Sequence, residues 1–364
     1  MSRQMRALYA MHSIDWFASM LIGIMVPIYF ISLGFSLAQI FTYLLVLSAA
    51  IPIFFFAAGS FSTRFGLKGC LMFRLPFQLL RLGMLFYLPK EPDLLFPIAL
   101  ANAVQVAFYW FPFHVIFAQS AGNEKLGKQV GKLNSYTKIL GVFAPLIGAL
   151  ISARLGFDYL FVIAGITFLL TLIPFAYLTN WKPKINFHPE LIIDFLKKYK
   201  RVFIGQGIET LNAEVEGALL PLFIFITFNN IISAGFIGSL LGLGGAIFTL
   251  FIGHFTDKHN KKILRLGAVI MILIWILRFS EPKEFTYFIL SIIAGFTIIL
   301  ISIPFSTINY SLAKSENIDE YIIFREIPAA FGRIAIYAAA LAITAKINYS
   351  FLMAAVSLLY FLFI

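Results

Sequence analysis

The sequence predicts an all-α integral membrane protein with twelve transmembrane helices in two six-helix bundles. Three observations carry this reading. The 364 residues are 60% hydrophobic and only 12% charged, with mean hydropathy +0.91. A soluble domain is roughly half apolar and about a quarter charged, so a soluble fold cannot hide this excess. Apolar runs long enough to cross a bilayer, about 20 residues each, recur along the chain. Two polar hinges, residues 59–68 and 253–262, lie 194 residues apart and set the halves in one frame.

The runs fall near 8–32, 37–62, 69–89, 93–118, 131–153, 157–179, 200–228, 232–256, 263–280, 285–312, 322–345 and 348–364. The first begins after Arg3 and Arg6 and continues through Pro27, too long for a signal-peptide core. The first hinge closes the second run, because so polar a stretch has to face water. The third run carries Arg74, Gln78 and Arg81 at i, i+4, i+7. The fourth aligns Asn102, Gln105 and Tyr109. The fifth follows a loop with Lys125, Lys128 and Lys132, and the sixth ends at Asn180. A basic linker, 181–199, separates an N-terminal bundle (1–180) from a C-terminal bundle (200–364). Ile192, Ile193, Phe195 and Leu196 give the linker an apolar face suited to a membrane surface. The seventh run holds Glu209, Glu214 and Glu216, and the hinge 253–262 follows the eighth. The tenth carries Ser302, Ser306, Asn309 and Tyr310, and the eleventh Arg325, Glu326 and Arg333.

Lys and Arg set the orientation. With the N-terminus in the cytoplasm, nearly all basic loop residues fall on that side. Only Lys90, Arg154, Lys283 and Lys346 fall opposite. The alternation holds through every loop, so both termini are expected in the cytoplasm and the cell membrane is the expected location. The net charge of +11 then reflects loop topology, and nucleic acid is not expected as a partner. Cys70 is the single cysteine, so no internal disulfide or cysteine metal cluster is expected. No phosphate-binding loop signature is present, and neither a cofactor nor a metal is expected.

At the 194-residue offset Ile14 meets Ile208, Asp15 meets Glu209, Gly23 meets Gly217 and Pro27 meets Pro221. In the hinges Gly59 meets Gly253, Arg64 meets Lys258 and Lys68 meets Lys262. Pro112-Phe113 and Pro304-Phe305 repeat at 192, and Gly141 and Gly332 at 191. Halves with an even number of spans insert the same way round. They form parallel repeats, which place a substrate site at their interface.

The second hinge reads Gly253-His254-Phe255-Thr256-Asp257-Lys258-His259-Asn260-Lys261-Lys262. It resembles the signature loop of the major facilitator superfamily, which follows the second span and recurs after the eighth. The first copy has Thr63 where the family carries Asp but keeps Arg64, Phe65 and Gly66. The second keeps Asp257 but has Asn260 where Gly is usual. The resemblance implies a cytoplasmic gate built from Gly59, Arg64, Gly66, Lys68, Gly253, Asp257, Lys258, Lys262 and Arg325. Asp257 would face the start of the fifth span at Lys128 and Lys132. Thr63 would offer a neutral contact to the eleventh span near Arg325. The blander alternative is that both hinges are only tight charged turns.

The resemblance also implies that the first, fourth, seventh and tenth spans line a central cavity. Ionisable groups within spans cost roughly 2.5–3.5 kcal/mol on insertion scales, so each needs a partner, water or a task. Asp15, Glu209, Glu214, Glu216, Lys138 and Arg333 are the candidates for coupling or substrate contact. A carboxyl in such a cavity can take up a proton. Glu209 and Glu216, seven apart, share a helical face with Asn212, and Glu214 points elsewhere. Lys138 and Arg333 are candidate partners for these acids, and His12 for a proton shared with Asp15. The Arg74–Gln78–Arg81 stripe is either an anion contact or, the favoured reading, inward structural pairing. Asn102, Gln105, Tyr109 and Asn309 are candidate cavity-lining groups; helix–helix contact is the alternative role. Residues 144–149, Ala-Pro-Leu-Ile-Gly-Ala, resemble a softened exporter motif, although no Arg lies between Asp93 and Gln119.

The expected function is secondary active transport of a small organic solute by alternating access, coupled to protons and directed to efflux, by a monomer. Proton-linked nutrient uptake is the alternative, followed by a lipid scramblase. An intramembrane enzyme is disfavoured, because the acids and histidines are dispersed.

Overall fold

A computed structural model describes residues 3–121, 126–185, 189–252, 256–280 and 283–363. Its described residues form helices and connecting turns, without strands. The membrane helices are α1 (Arg3–Ser32), α2 (residues 37–65), α3 (residues 67–87), α4 (Pro92–Ser120), α5 (Leu126–Arg154) and α6 (Phe157–Phe175). The second set is α7 (Lys200–Phe228), α8 (Ile231–Ile252), α9 (Thr256–Ser280), α10 (Glu284–Ser315), α11 (Glu326–Ala342) and α12 (Tyr349–Leu362). Among the described residues nine apolar segments are long enough to cross a bilayer. One of them, Leu37–Tyr87, is 51 residues long and holds both α2 and α3. With the shorter α11 and α12, the described helices are consistent with the expected twelve.

Local sequence sets the breaks. Ser36 caps α2 through a reciprocal capping box with Gln39, its hydroxyl accepting from Gln39 N at 3.3 Å. Asn229, at φ 50°, ends α7 in the left-handed region that asparagine tolerates. Gly66, at φ 80° and ψ 168°, divides α2 from α3.

The first hinge differs from expectation. Helix α2 runs straight through Gly59, which is buried, to Phe65, so most of residues 59–68 is helix and not turn. The break is stapled to the end of its own bundle. Asn180 Nδ2 donates to Phe65 O (3.1 Å), Lys68 N donates to Asn180 Oδ1 (3.0 Å) and Leu67 N donates to Trp181 O (2.7 Å). A Cβ at Gly66 would stand 2.1 Å from Asn180 Oδ1, so the sequence admits only glycine there. Thr63 does not reach α11: its hydroxyl donates back to Ser60 O at 2.7 Å. Arg64 lies over the Phe65 ring, and the Lys68 ammonium donates to Ala176 O at 3.1 Å. Of the second hinge, Gly253 and the side chains of Asp257 and Lys258 lie outside the described residues, while Lys262 is exposed on α9.

The outer surface carries exposed apolar side chains such as Ile53, Val162, Ile166 and Leu273. In water such a surface would associate; in hydrocarbon it is solvated. Inside, helices approach through small residues. A Cβ on Gly332 of α11 would stand 2.0 Å from Gly207 O of α7. The halves meet where α5 packs on α8 and where α11 packs on the α2–α3 segment.

The linker helix Pro189–Lys198 packs much of its apolar side on the protein, while Ile193, one of the four residues of the expected apolar face, stays 51% exposed. Leu191, Ile192, Phe195 and Leu196 pack on the core near the short helix Ile318–Phe324. Lys198 pairs with Glu316 at 2.6 Å, and Phe195 meets the Phe324 ring at 5.2 Å. Exposed apolar area is covered more cheaply by this second helix than by water.

Asp319 sits in that junction, buried, with one oxygen unpartnered. Burial raises its carboxyl to about 6; the Lys184 backbone N–H at 3.3 Å opposes the rise and Glu320 adds to it. An unfolded aspartate titrates near ~3.9. The folded chain therefore keeps a proton that the unfolded chain has lost. The stability from this proton is full at low pH and is lost as pH rises through about 6. Asp319→Asn is expected to flatten the melting-temperature profile across this window and to raise the melting temperature at pH 7 to 8. An unchanged slope would remove Asp319 as its source.

Candidate functional site

Two cavities lie in series between the bundles. The lower one is nearer the basic end that carries Arg3, Gly66 and Arg201; the upper one is nearer the opposite end. The upper cavity, about 330 Å³, is lined mainly by α1–α4, closed by Glu214 and Gly217 of α7 and Tyr337 of α11. The lower cavity, about 360 Å³, is lined mainly by α7, α10 and α11. Trp16, Val106, Trp110 and Glu214 line both, so they form the waist between them.

Below the lower cavity the halves are joined directly. His114 Nδ1 and Tyr310 OH lie 2.6 Å apart across the interface, the Phe117 ring lies tilted 4.8 Å from that of Tyr310, and Lys314 Nζ donates to Ala121 O. Arg325 lies over the Tyr310 ring at 5.8 Å and lines the cavity floor. Farther up, Leu146 N donates to Ser239 Oγ at 3.1 Å, linking α5 to α8.

Buried charges are organised in three groups. Asp15 of α1 pairs with Arg74 of α3, and the Arg74 guanidinium also lies 4.1 Å from the centre of the Tyr109 ring. Glu216 of α7 pairs with Arg278 of α9 at 2.7 Å, and Arg278 donates to Ser291 Oγ at 3.1 Å. Each half thus has one acid on its first helix paired with an arginine on its third. The third group sits at the interface. Arg333 Nε donates to Glu214 Oε1 at 3.2 Å, another of its nitrogens pairs with Glu326, and Tyr337 OH donates to Glu214 Oε2 at 2.5 Å.

As the helical wheel has it, Asn212 and Glu216 share one side of α7 and Glu214 points elsewhere, but the side that meets the waist is not the expected one. Glu214 reaches the waist, whereas Glu216 and Asn212 turn into their own bundle. Asn212 accepts from Trp275 Nε1 at 3.1 Å and donates to Ser357 Oγ at 3.0 Å. The buried guanidinium and indole of α9 demand partners, and α7 supplies them from this side. A π-helical turn over Val215–Leu219 then alters the angular step beyond Glu214. Glu209 lines the lower cavity beside Gln206, at 3.4 Å.

The other expected residues fall as follows. Asn102, Gln105 and Tyr109 line the upper cavity, and Asn309 the lower. Asn102 Oδ1 accepts from both Arg81 Nη1 and Gln105 Nε2, each at 2.8 Å, and Tyr321 OH donates to Asn309 Oδ1 at 3.1 Å. Lys138 is absent from both linings; it packs across the interface against Gly245 of α8. His12 contacts Tyr109 OH at 2.6 Å through Nδ1 and not Asp15. Trp16, Tyr337 and Arg278 were not legible beforehand. Arg278 lies two residues before the end of α9, where an arginine reads as an interfacial anchor; nothing local marks the two aromatics.

No family model matches the chain, and no curated protein matches it by sequence. Solved structures match it along nearly its whole length. A mutant of the nucleoside transporter NupG gives TM-score 0.74 at 15% identity, over 99% of this chain and 98% of that one. A bacterial homologue of the iron transporter ferroportin, outward-facing with soaked iron, gives 0.71 at 11% identity over 98% of each. The human organic anion transporter MFSD10 (TETRAN) gives 0.66 at 11% identity, over 98% of this chain and 99% of that one. The chain therefore has the fold that these transporters share, the major facilitator fold.

Proposed function

We propose that the chain is a secondary carrier that moves a small organic solute by alternating access and couples this movement to protons. The observation that carries the reading is the interface triad. Glu214 and Glu326 share the single guanidinium of Arg333 at the waist of two cavities between the bundles. Two carboxylates against one cation leave a surplus negative charge, which one proton cancels. Such a site can gain and lose a proton as its access to water changes. The fold shared with carriers described as moving organic anions, nucleosides and iron supports the reading.

On this reading residues 1–180 and 200–364 rock about the waist, and the contacts of His114, Tyr310 and Arg325 form the gate at the basic end. That end faces the cytoplasm in a multi-pass cell-membrane monomer. The exporter-like residues 144–149 make efflux, with protons entering, the proposed direction.

The test is proton movement in proteoliposomes. The purified chain is reconstituted with pyranine inside, and a panel of organic acids, nucleosides and amino acids is added under either sign of pH gradient. A solute on the panel is expected to shift internal pH only when the chain is present. Solute flux that ignores the gradient would overturn the coupling; absence of flux across the panel would overturn the carrier.

A further inference from the structure

Among the described residues, the upper cavity holds one guanidinium without a carboxylate partner. Arg74, Arg278 and Arg333 each have a carboxylate partner. Arg81 is 7% exposed, and among the described residues its hydrogen-bond partner is a neutral amide, Asn102 Oδ1 at 2.8 Å. Its Nε is buried without a hydrogen-bond partner, and so is the Oε1 of Gln78 beside it; both residues line the cavity. A guanidinium inside a span costs roughly 2.5–3.5 kcal/mol even on the lenient scales. A buried donor left unmade costs more. A bound oxyanion removes both costs.

The charges nearby limit which oxyanion fits. Asp15 is cancelled by Arg74, so Arg81 contributes a single positive charge to its wall. The facing wall carries Glu214, part of a triad with one negative charge in surplus. A dianion would bring a second negative charge into a site with one cation to meet it. A monoanion balances Arg81 when the triad carries its proton. A carboxylate matches the planar guanidinium fork, and Gln78 Oε1 accepts from a neighbouring O–H or N–H. Trp16 and Trp110 line the same cavity and offer flat apolar faces to the rest of the molecule. About 330 Å³ is the small end of ligand pockets, which span roughly 300–1,000 Å³.

We infer that the upper cavity binds a monocarboxylate with a planar apolar body, the carboxylate at Arg81 and the body against Trp16 and Trp110. This rests on the carrier reading only for its biological use, because binding itself is decided by the cavity. The substrate class therefore narrows to small organic monoacids.

The test uses the purified full chain in detergent, read by tryptophan fluorescence and by thermal shift. The probes are benzoate, phenylacetate and indole-3-acetate, their primary amides, and phenyl phosphate. At least one acid is expected to bind about tenfold or more tightly than its amide, the scale of a charged hydrogen bond. Arg81→Gln should remove that preference, and Arg81→Lys should keep part of it. Equal binding of acid and amide, undiminished acid binding by Arg81→Gln, or no binding by any acid would each overturn the site. Tighter binding of phenyl phosphate than of every acid would overturn the monoanion assignment. Should Arg81→Gln fail to fold, the acid–amide comparison on the unaltered chain still decides. Labelled benzoate flux in proteoliposomes separates the two readings. An acid that binds but never crosses sinks the carrier and leaves the site; a neutral solute that crosses while no acid binds does the reverse.

Discussion

Arg278→Met is expected to destabilise the protein by about 3–5 kcal/mol, because it leaves Glu216 buried and unpaired inside the C-terminal bundle. Arg278 is 0% exposed, its nitrogens meet Glu216 at 2.7 Å and Ser291 at 3.1 Å, and its carbonyl accepts from Tyr287 OH. Both side chains are buried, so bulk solvent does little to soften the loss. Glu216→Met alone strands the guanidinium and is expected to cost a similar amount. The double variant removes both charges and should recover most of the loss, since a buried pair gains little over well-packed apolar groups. Thermal unfolding of the four proteins in one detergent gives the coupling energy. Additive losses would show that the two side chains do not depend on each other.

Glu214→Gln is expected to reduce proton-driven flux to background while solute counterflow continues. Gln keeps one oxygen to accept from Arg333 and can donate its amide N–H to the Tyr337 hydroxyl, so the waist retains its shape, but the group proposed to exchange a proton is gone. The triad then holds one carboxylate against one guanidinium and no longer needs a proton to balance. Flux under a pH gradient and counterflow without one, measured on the same proteoliposomes, separate the effects. Undiminished pumping by Glu214→Gln, with loss in Glu209→Gln, would move the coupling role to Glu209. Glu216→Gln should instead act mainly through stability.

Much of the fold was legible because hydrocarbon imposes a simple rule: a backbone that crosses it has to be helical, and the run has to be long enough. The repeat was legible because Gly23 and Pro27 find counterparts in the second half at one offset, but that offset matched Asp15 to Glu209, whereas the acid paired to the third helix of the second half is Glu216. The site was less so. Composition placed Glu209, Glu214 and Glu216 on one helix, but in a membrane both the cavity and the bundle interior accept a carboxylate that has a partner. The choice fell to Trp275 and Arg278, about 60 residues away, whose donors took the Asn212–Glu216 side. The first hinge failed for a related reason. Its polar residues are consistent with a free turn, yet Asn180, 112 residues from Lys68, supplies the bonds that let helix continue to Phe65. Hydropathy reads a window, whereas these partners are long-range.

The two intrabundle ion pairs also bear on how the chain enters a membrane. Asp15 precedes Arg74 by 59 residues, and Glu216 precedes Arg278 by 62. During synthesis the first helix of each half reaches the lipid carrying an acid whose partner has not yet left the ribosome. Admitting that acid alone costs roughly 2.5–3.5 kcal/mol. Asp15 and Glu216 therefore gain their arginine partners only once two more helices of their half have followed. The six-helix half begins as a three-helix delivery.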